Sequence, residues 1–143
     1  MSEAAFLALL LVVAPLTAPA AHGSWSGTSA GPQLSAGRQT YAGQPLRPAE
    51  PLPTGAVLSR ISWRIGLLSP APPGLEIKLC SATACIQLDR LAGQRAAPLP
   101  FSAGEEFRFI YAVNAPGRLS PPVGVVSNQI TVNYRWPGQS LTQ

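Results

Sequence analysis

The two cysteines of this 143-residue chain, Cys80 and Cys85, are its sharpest chemical signal. Ser-Ala-Thr-Ala separates them. A thiol pair can hold a metal, cycle through a redox reaction, or staple the fold. A metal site needs further Cys or His ligands. The chain has no third Cys, and its lone His22 lies far upstream. A redox-active pair usually has two intervening residues and a helical context. Here the flanks alternate like strands. A structural disulfide is the simplest reading, and it points to an oxidising compartment.

No catalytic constellation accompanies it. A serine nucleophile needs a neighbouring base, and His22 sits in a Ser-, Gly- and Pro-rich segment. Glu50, Glu76, Asp89, Glu105 and Glu106 are the carboxylates available for acid–base work. Glu105 and Glu106 precede a strand pattern and read as a solvated turn. No Gly-rich phosphate loop or metal-ligand spacing occurs. The expectation is a non-enzyme without cofactor or metal. Nine Arg and Lys78 are scattered, with no run resembling a nucleic-acid arm.

What remains is recognition. Gln129, Thr131, Asn133 and Arg135 share one face of a strand pattern, either a partner-binding face or an ordinary wet sheet surface. Trp25 is either an exposed anchor for a partner or packing on the domain. An alternative function is an envelope glycan-binding module. It would use Trp25, Tyr41 or Trp136 as stacking platforms.

The elements that must position these residues are strands. Residues 57–67 alternate, with Val57, Ser59, Ile61, Trp63, Ile65 and Leu67 on one face and Arg60, Ser62 and Arg64 on the other. Residues 68–74 form a turn. Leu75, Ile77 and Leu79 then face inward, followed by Ile86 and Leu88, so both cysteines lie on the outer face of one hairpin. Residues 91–104 read as loop with a short strand near 97–101. Phe107, Phe109, Tyr111 and Val113 form another strand, and 114–122 a long turn. The last strand runs over 125–135, with Val126, Asn128, Ile130, Val132 and Tyr134 inward. Residues 21–54 hold only weak strand candidates, around 39–41. With 16 Pro and 13 Gly as punctuation and no helix period after residue 20, the fold class is all-β. It is a small antiparallel β-sandwich, with a small partly open barrel as the alternative.

The chain opens on an apolar run, residues 4–14, shorter than the roughly 20 residues that span a bilayer. Pro15 and the small residues Ala18 and Ala20 follow, as in a secretory signal peptide. Cleavage is expected after Ala20, or alternatively after Gly23. The expected organisation is signal peptide 1–20, an N-terminal segment 21–54 packing on the domain, a sandwich core 55–136, and a flexible tail 137–143. The chain after residue 20 carries ten basic and five acidic residues. That balance favours either solubility or an acidic partner. No stable membrane insertion is expected, and a homo-oligomer is possible.

An ordered set of short motifs adds to this reading. Gly23-Ser24-Trp25, Gly31-Pro32 and Leu34 open it. Ser62-Trp63-Arg64, Pro73-Gly74-Leu75 and Leu79-Cys80-Ser81 with Cys85 form its middle. Phe107-Arg108-Phe109, Gly117-Arg118-Leu119, Val126, Ser127-Asn128 and Val132-Asn133-Tyr134-Arg135 close it. The chain resembles the flagellar protein FlhE family. The likeness is weakest over 87–104 and beyond 135. It implies a periplasmic accessory protein of the bacterial flagellum. Family members are associated with keeping the export gate from leaking protons, and with a chaperone-like role that prevents filament growth in the periplasm. The implied partner is a rod, hook, filament or export-apparatus protein. The resemblance carries over no catalytic residue, only the Cys80–Cys85 disulfide.

Overall fold

Hydrophobic alternation and frequent turn residues make strands the only regular elements among the described residues. The computed structural model describes residues 21–138. The proposed leader, residues 1–20, and most of the tail lie outside the described residues. The strands are β1 (Ala21–Ser29), β2 (Gln33–Ala36), β3 (Tyr41–Ala42), β4 (Val57–Leu67), β5 (Leu75–Cys80), β6 (Cys85–Leu88), β7 (Ala92–Ala96), β8 (Arg108–Val113) and β9 (Arg118–Trp136).

They form two antiparallel sheets. One has the order β1-β9-β4-β7, with β2 pairing on the upstream part of β9. The other has the order β3-β8-β5-β6. The sheets do not join into a closed barrel, so the fold is the sandwich. The core lies between them. Leu58, Ile61, Trp63, Ile65, Val125, Ile130 and Val132 from the first sheet meet Ile77, Leu79, Leu88, Phe109, Tyr111 and Val113 from the second. Each large apolar side chain buried this way stabilises the fold by about 1.5–3 kcal/mol.

Two β-bulges correct the expected faces of β4 and β9. One lies in β4 between Leu58 and Arg60, where the register against Tyr134 and Asn133 shifts. It puts Leu58 in the core and leaves Val57 exposed, the reverse of strict alternation. The other lies in β9 between Val125 and Ser127. Val125 is buried there, whereas Val126, expected inside, is 55% exposed. A bulge inserts one unpaired residue and so switches the parity of everything beyond it.

Residues 21–54 supply three strands, where the sequence offers only weak candidates around 39–41. β1 runs the length of the downstream half of β9, from Ala21 opposite Trp136 to Ser29 opposite Asn128. β7 replaces the loop expected over 91–96, and the strand expected at 97–101 is absent. β9 begins at Arg118, inside the expected turn. Pro121 and Pro122 are tolerated because only β2 pairs this stretch, at Val123 and Arg118 and not between them. A residue without an N–H fits where the ladder is interrupted.

Candidate partner-binding face

The outer surface of the five-stranded sheet is built by registration. Side chains on one face of neighbouring strands come opposite one another about 4.8 Å apart, and successive rows lie about 7 Å apart along the strands. One row is Ser24, Asn133, Arg60 and Ala96. The next is Ser26, Thr131, Ser62 and Gln94, and the third is Thr28, Gln129, Arg64 and Ala92. Gln129, Thr131 and Asn133 thus stand at the centre of a grid of small polar side chains. Arg135 lies on the same face at its end, opposite His22 and Val57.

Local hydrogen bonds hold parts of this grid in place. Ser26 Oγ and Thr131 Oγ1 are 2.8 Å apart. Arg60 Nη1 donates to Gln94 Oε1 at 3.0 Å. An open groove of about 420 Å³ lies between Ser62, Arg64, Gln94, Gln129 and Thr131. Its hydroxyl and amide groups both donate and accept, and Arg64 adds a cationic wall.

Trp25 does not join this face. It is on the inner side of β1, opposite Val132. Its Nε1 donates to the Ala103 carbonyl at 2.8 Å, and its ring stacks on Phe107 with centroids 6.1 Å apart. Trp25 packs because β1 offers the core little else: its inner neighbours are Gly23 and Gly27. Tyr41 is engaged too. Its phenol oxygen accepts from the Ala36 N–H at 3.0 Å and sits 3.3 Å from Ser35 Oγ. These bonds, that with Ser35 foremost, lower its pKa. Trp136 is half-buried and lies 5.6 Å from the Tyr134 ring.

The opposite sheet presents different chemistry. Cys80 and Cys85 face each other across the β5–β6 hairpin and are joined as a disulfide, with Cα atoms 4.0 Å apart. In the intervening turn, Ser81 N–H donates to the Ala84 carbonyl at 2.8 Å. Beside this tip, Glu106 pairs with Arg47 at 3.6 Å and Arg108 at 3.8 Å. Glu105 accepts from the Ser102 N–H. One carboxylate is therefore in exposed ion pairs, each contributing about 0–1 kcal/mol, and the other closes a turn. Among the described residues no three His, Cys, Asp or Glu side chains converge as a metal site would require. No helix among them is long and apolar enough to cross a membrane.

Alternation alone points Gln129, Thr131, Asn133, Arg60, Ser62 and Arg64 outward, whereas Ser24, Ser26, Thr28 and Gln94 come beside them only through strand registration. The signal for Ser24, Ser26 and Thr28 was present as hydroxyl side chains at every second position of 24–28.

A family model described as "Flagellar protein FlhE" matches residues 31–135. The chain is 34% identical to the flagellar protein FlhE of Escherichia coli (strain K12) over 128 residues, covering 89% of this chain and 97% of that protein. Over 131 residues it is 37% identical to the flagellar protein FlhE of Salmonella typhimurium, covering 91% and 98% respectively. This chain belongs to the flagellar protein FlhE family. The crystal structure of FLHE superposes on it with a TM-score of 0.71 at 34% identity, over 79% of this chain and 96% of that one. FlhE membership makes it a flagellar accessory protein. The FlhE model spans the disulfide hairpin, both bulges and the two central strands of the grid, while β1 lies outside its matched stretch.

Proposed function

We propose that this FlhE-family chain is a non-catalytic accessory factor of the periplasm, delivered there by a cleaved signal peptide. It binds a flagellar component through the outer face of its five-stranded sheet and holds it in a chaperone-like manner. The observation that carries this reading is the three-row grid centred on Thr131. It is a broad, solvent-open surface of hydrogen-bonding groups on a rigid two-sheet frame. Rod, hook, filament and export-apparatus proteins are the candidate partners. A block on proton leakage through the export gate follows from the same binding if the gate is what is held. Glycan binding is less well supported, because Trp25 and Tyr41 are already occupied by contacts within the fold.

The test is covalent capture in the periplasm of motile cells, using the tagged full chain, with sedimentation against purified peptidoglycan in parallel. Enrichment of a flagellar component without peptidoglycan co-sedimentation is the expected result. Retention of the protein in the cytoplasm would overturn the reading, as would unchanged motility and periplasmic contents on its removal.

A further inference from the structure

The five-stranded sheet contains no Asp or Glu in any of its strands, yet it carries Arg60, Arg64, Arg95, Arg118 and Arg135. Three of these, Arg60, Arg64 and Arg135, belong to the outer grid described above. None of the three makes an ion pair with a carboxylate among the described residues, where the pairs run instead between Arg47, Arg90 or Arg108 and Glu106 or Asp89. The outer face of the other sheet is mixed, with Glu76 and Lys78 on β5 and Arg108 on β8.

Among the described residues, the exposed large apolar side chains are placed just as unevenly. Val57 (53% exposed), Leu68 (78%) and Val126 (55%) all lie on the carboxylate-free side. Val57 and Val126 are there because of the two bulges. Leu68 donates its backbone N–H to the Gly124 carbonyl and stands beside Gly124, close to Val126 and Pro122. Val57 and Leu68 thus mark opposite ends of β4, about 35 Å apart at the rise of a strand. Between them lie the arginines and the hydroxyl and amide rows. Arginine enriched, carboxylate depleted and apolar side chains exposed is the composition of a protein-binding surface. A glycan would be met instead by open aromatic rings.

We propose that this face docks a protein segment whose carboxylates lie between apolar side chains, with Arg60 and Arg64 as the charge-reading residues and Val57, Leu68 and Val126 as apolar contacts at the two ends. This rests on the binding role proposed above and specifies its partner by chemistry. Arginine suits the task because its planar fork binds a carboxylate through two parallel hydrogen bonds.

The experiment places a photo-crosslinking amino acid at Ser62 or Val126 on this face, and at Lys78 or Gln87 on the other, in the full chain in motile cells. Adducts are expected from positions 62 and 126, to a flagellar protein, on peptides that contain Asp or Glu. Combining the Ser62 probe with R60E/R64E should cut the yield by about tenfold or more. R60K/R64K should cut it by less than the charge reversal does, because charge is kept while the bidentate fork is lost. Circular dichroism of the purified variants checks that both remain folded. Capture of the same flagellar protein only from positions 78 and 87 overturns this face and leaves the binding role standing. No flagellar adduct from any position overturns both. A second copy of this chain or a glycan as the adduct overturns the partner class, and indifference to charge reversal overturns the role of the arginines.

Discussion

The Tyr111 phenol donates a hydrogen bond to Asn128 Oδ1 at 3.0 Å, linking the middle of one sheet to the middle of the other. Both residues are fully buried. Asn128 Nδ2 in turn donates to Ser29 Oγ at 2.8 Å, so the end of β1 is tied into the same network. Each buried polar atom has its partner here, which is the condition for a polar group inside a core to be tolerated. The replacement Tyr111→Phe keeps the ring and strands the Asn128 oxygen. It should destabilise the fold by about 1–3 kcal/mol, read as a shift of the urea midpoint at unchanged slope.

Burial also raises the Tyr111 pKa above the ordinary phenol value of 10.0. The folded chain therefore holds this proton more tightly than the unfolded chain does. The resulting stability is complete below about pH 10 and is lost as pH rises from there toward the folded pKa. Tyr41, whose pKa is lowered by its bonds to Ser35 and Ala36, should ionise before Tyr111. Ultraviolet titration should show the Tyr41 phenolate ahead of the Tyr111 phenolate, with the Tyr111 step coinciding with loss of far-ultraviolet ellipticity. Tyr111→Phe should remove that step.

The disulfide closes a short loop, with its cysteines five positions apart. On the chain-entropy account such a loop contributes about 2 kcal/mol. The double replacement Cys80→Ala, Cys85→Ala should therefore lower unfolding stability by about that amount and leave the sandwich intact. Reduction of the native chain should bring its denaturation curve onto that of the variant.

Trp25→Ala separates packing from recognition. It removes the bond to Ala103 and the stacking on Phe107, and should cost about 3 kcal/mol, at the low end for loss of a core tryptophan because the ring is half-buried. Thermal unfolding measures it. A variant that melts like the native chain but no longer binds would instead make Trp25 a contact residue.

The strands that read well from the sequence carry their own hydrophobic alternation, as do Leu75-Ile77-Leu79 and Phe109-Tyr111-Val113. The strands that did not read borrow their burial from partners. β1 shows the core Gly23, Trp25 and Gly27, and the Tyr134 ring lies where a side chain on Gly23 would stand, about 2.8 Å from an added Cβ. β7 shows Gly93, covered in the same way by Trp63, whose Nε1 is anchored on the Arg90 carbonyl at 2.9 Å. A glycine roofed by an aromatic from the next strand leaves no periodic signal in its own segment. The bulges are similar. Nothing local to Ser59 or Val126 announces them, because a bulge settles the mismatch between two strands distant in the chain. The candidate face was half legible for the same reason: alternation gives each strand's outward residues but not which strands lie side by side.

The last strand to be synthesised, β9, is the one that β1, β2 and β4 all pair with. While the ribosome is still making the stretch after Val113, β1 has no strand to pair with. Pairing over such sequence separation is slow, and here it cannot even begin until the chain is nearly complete. Under the export proposed above, this topology would ease transit through a translocation channel. Only the β4–β7 pair of this sheet can form ahead of the final strand, so under that proposal the segments that enter the channel first carry no finished five-stranded sheet to undo.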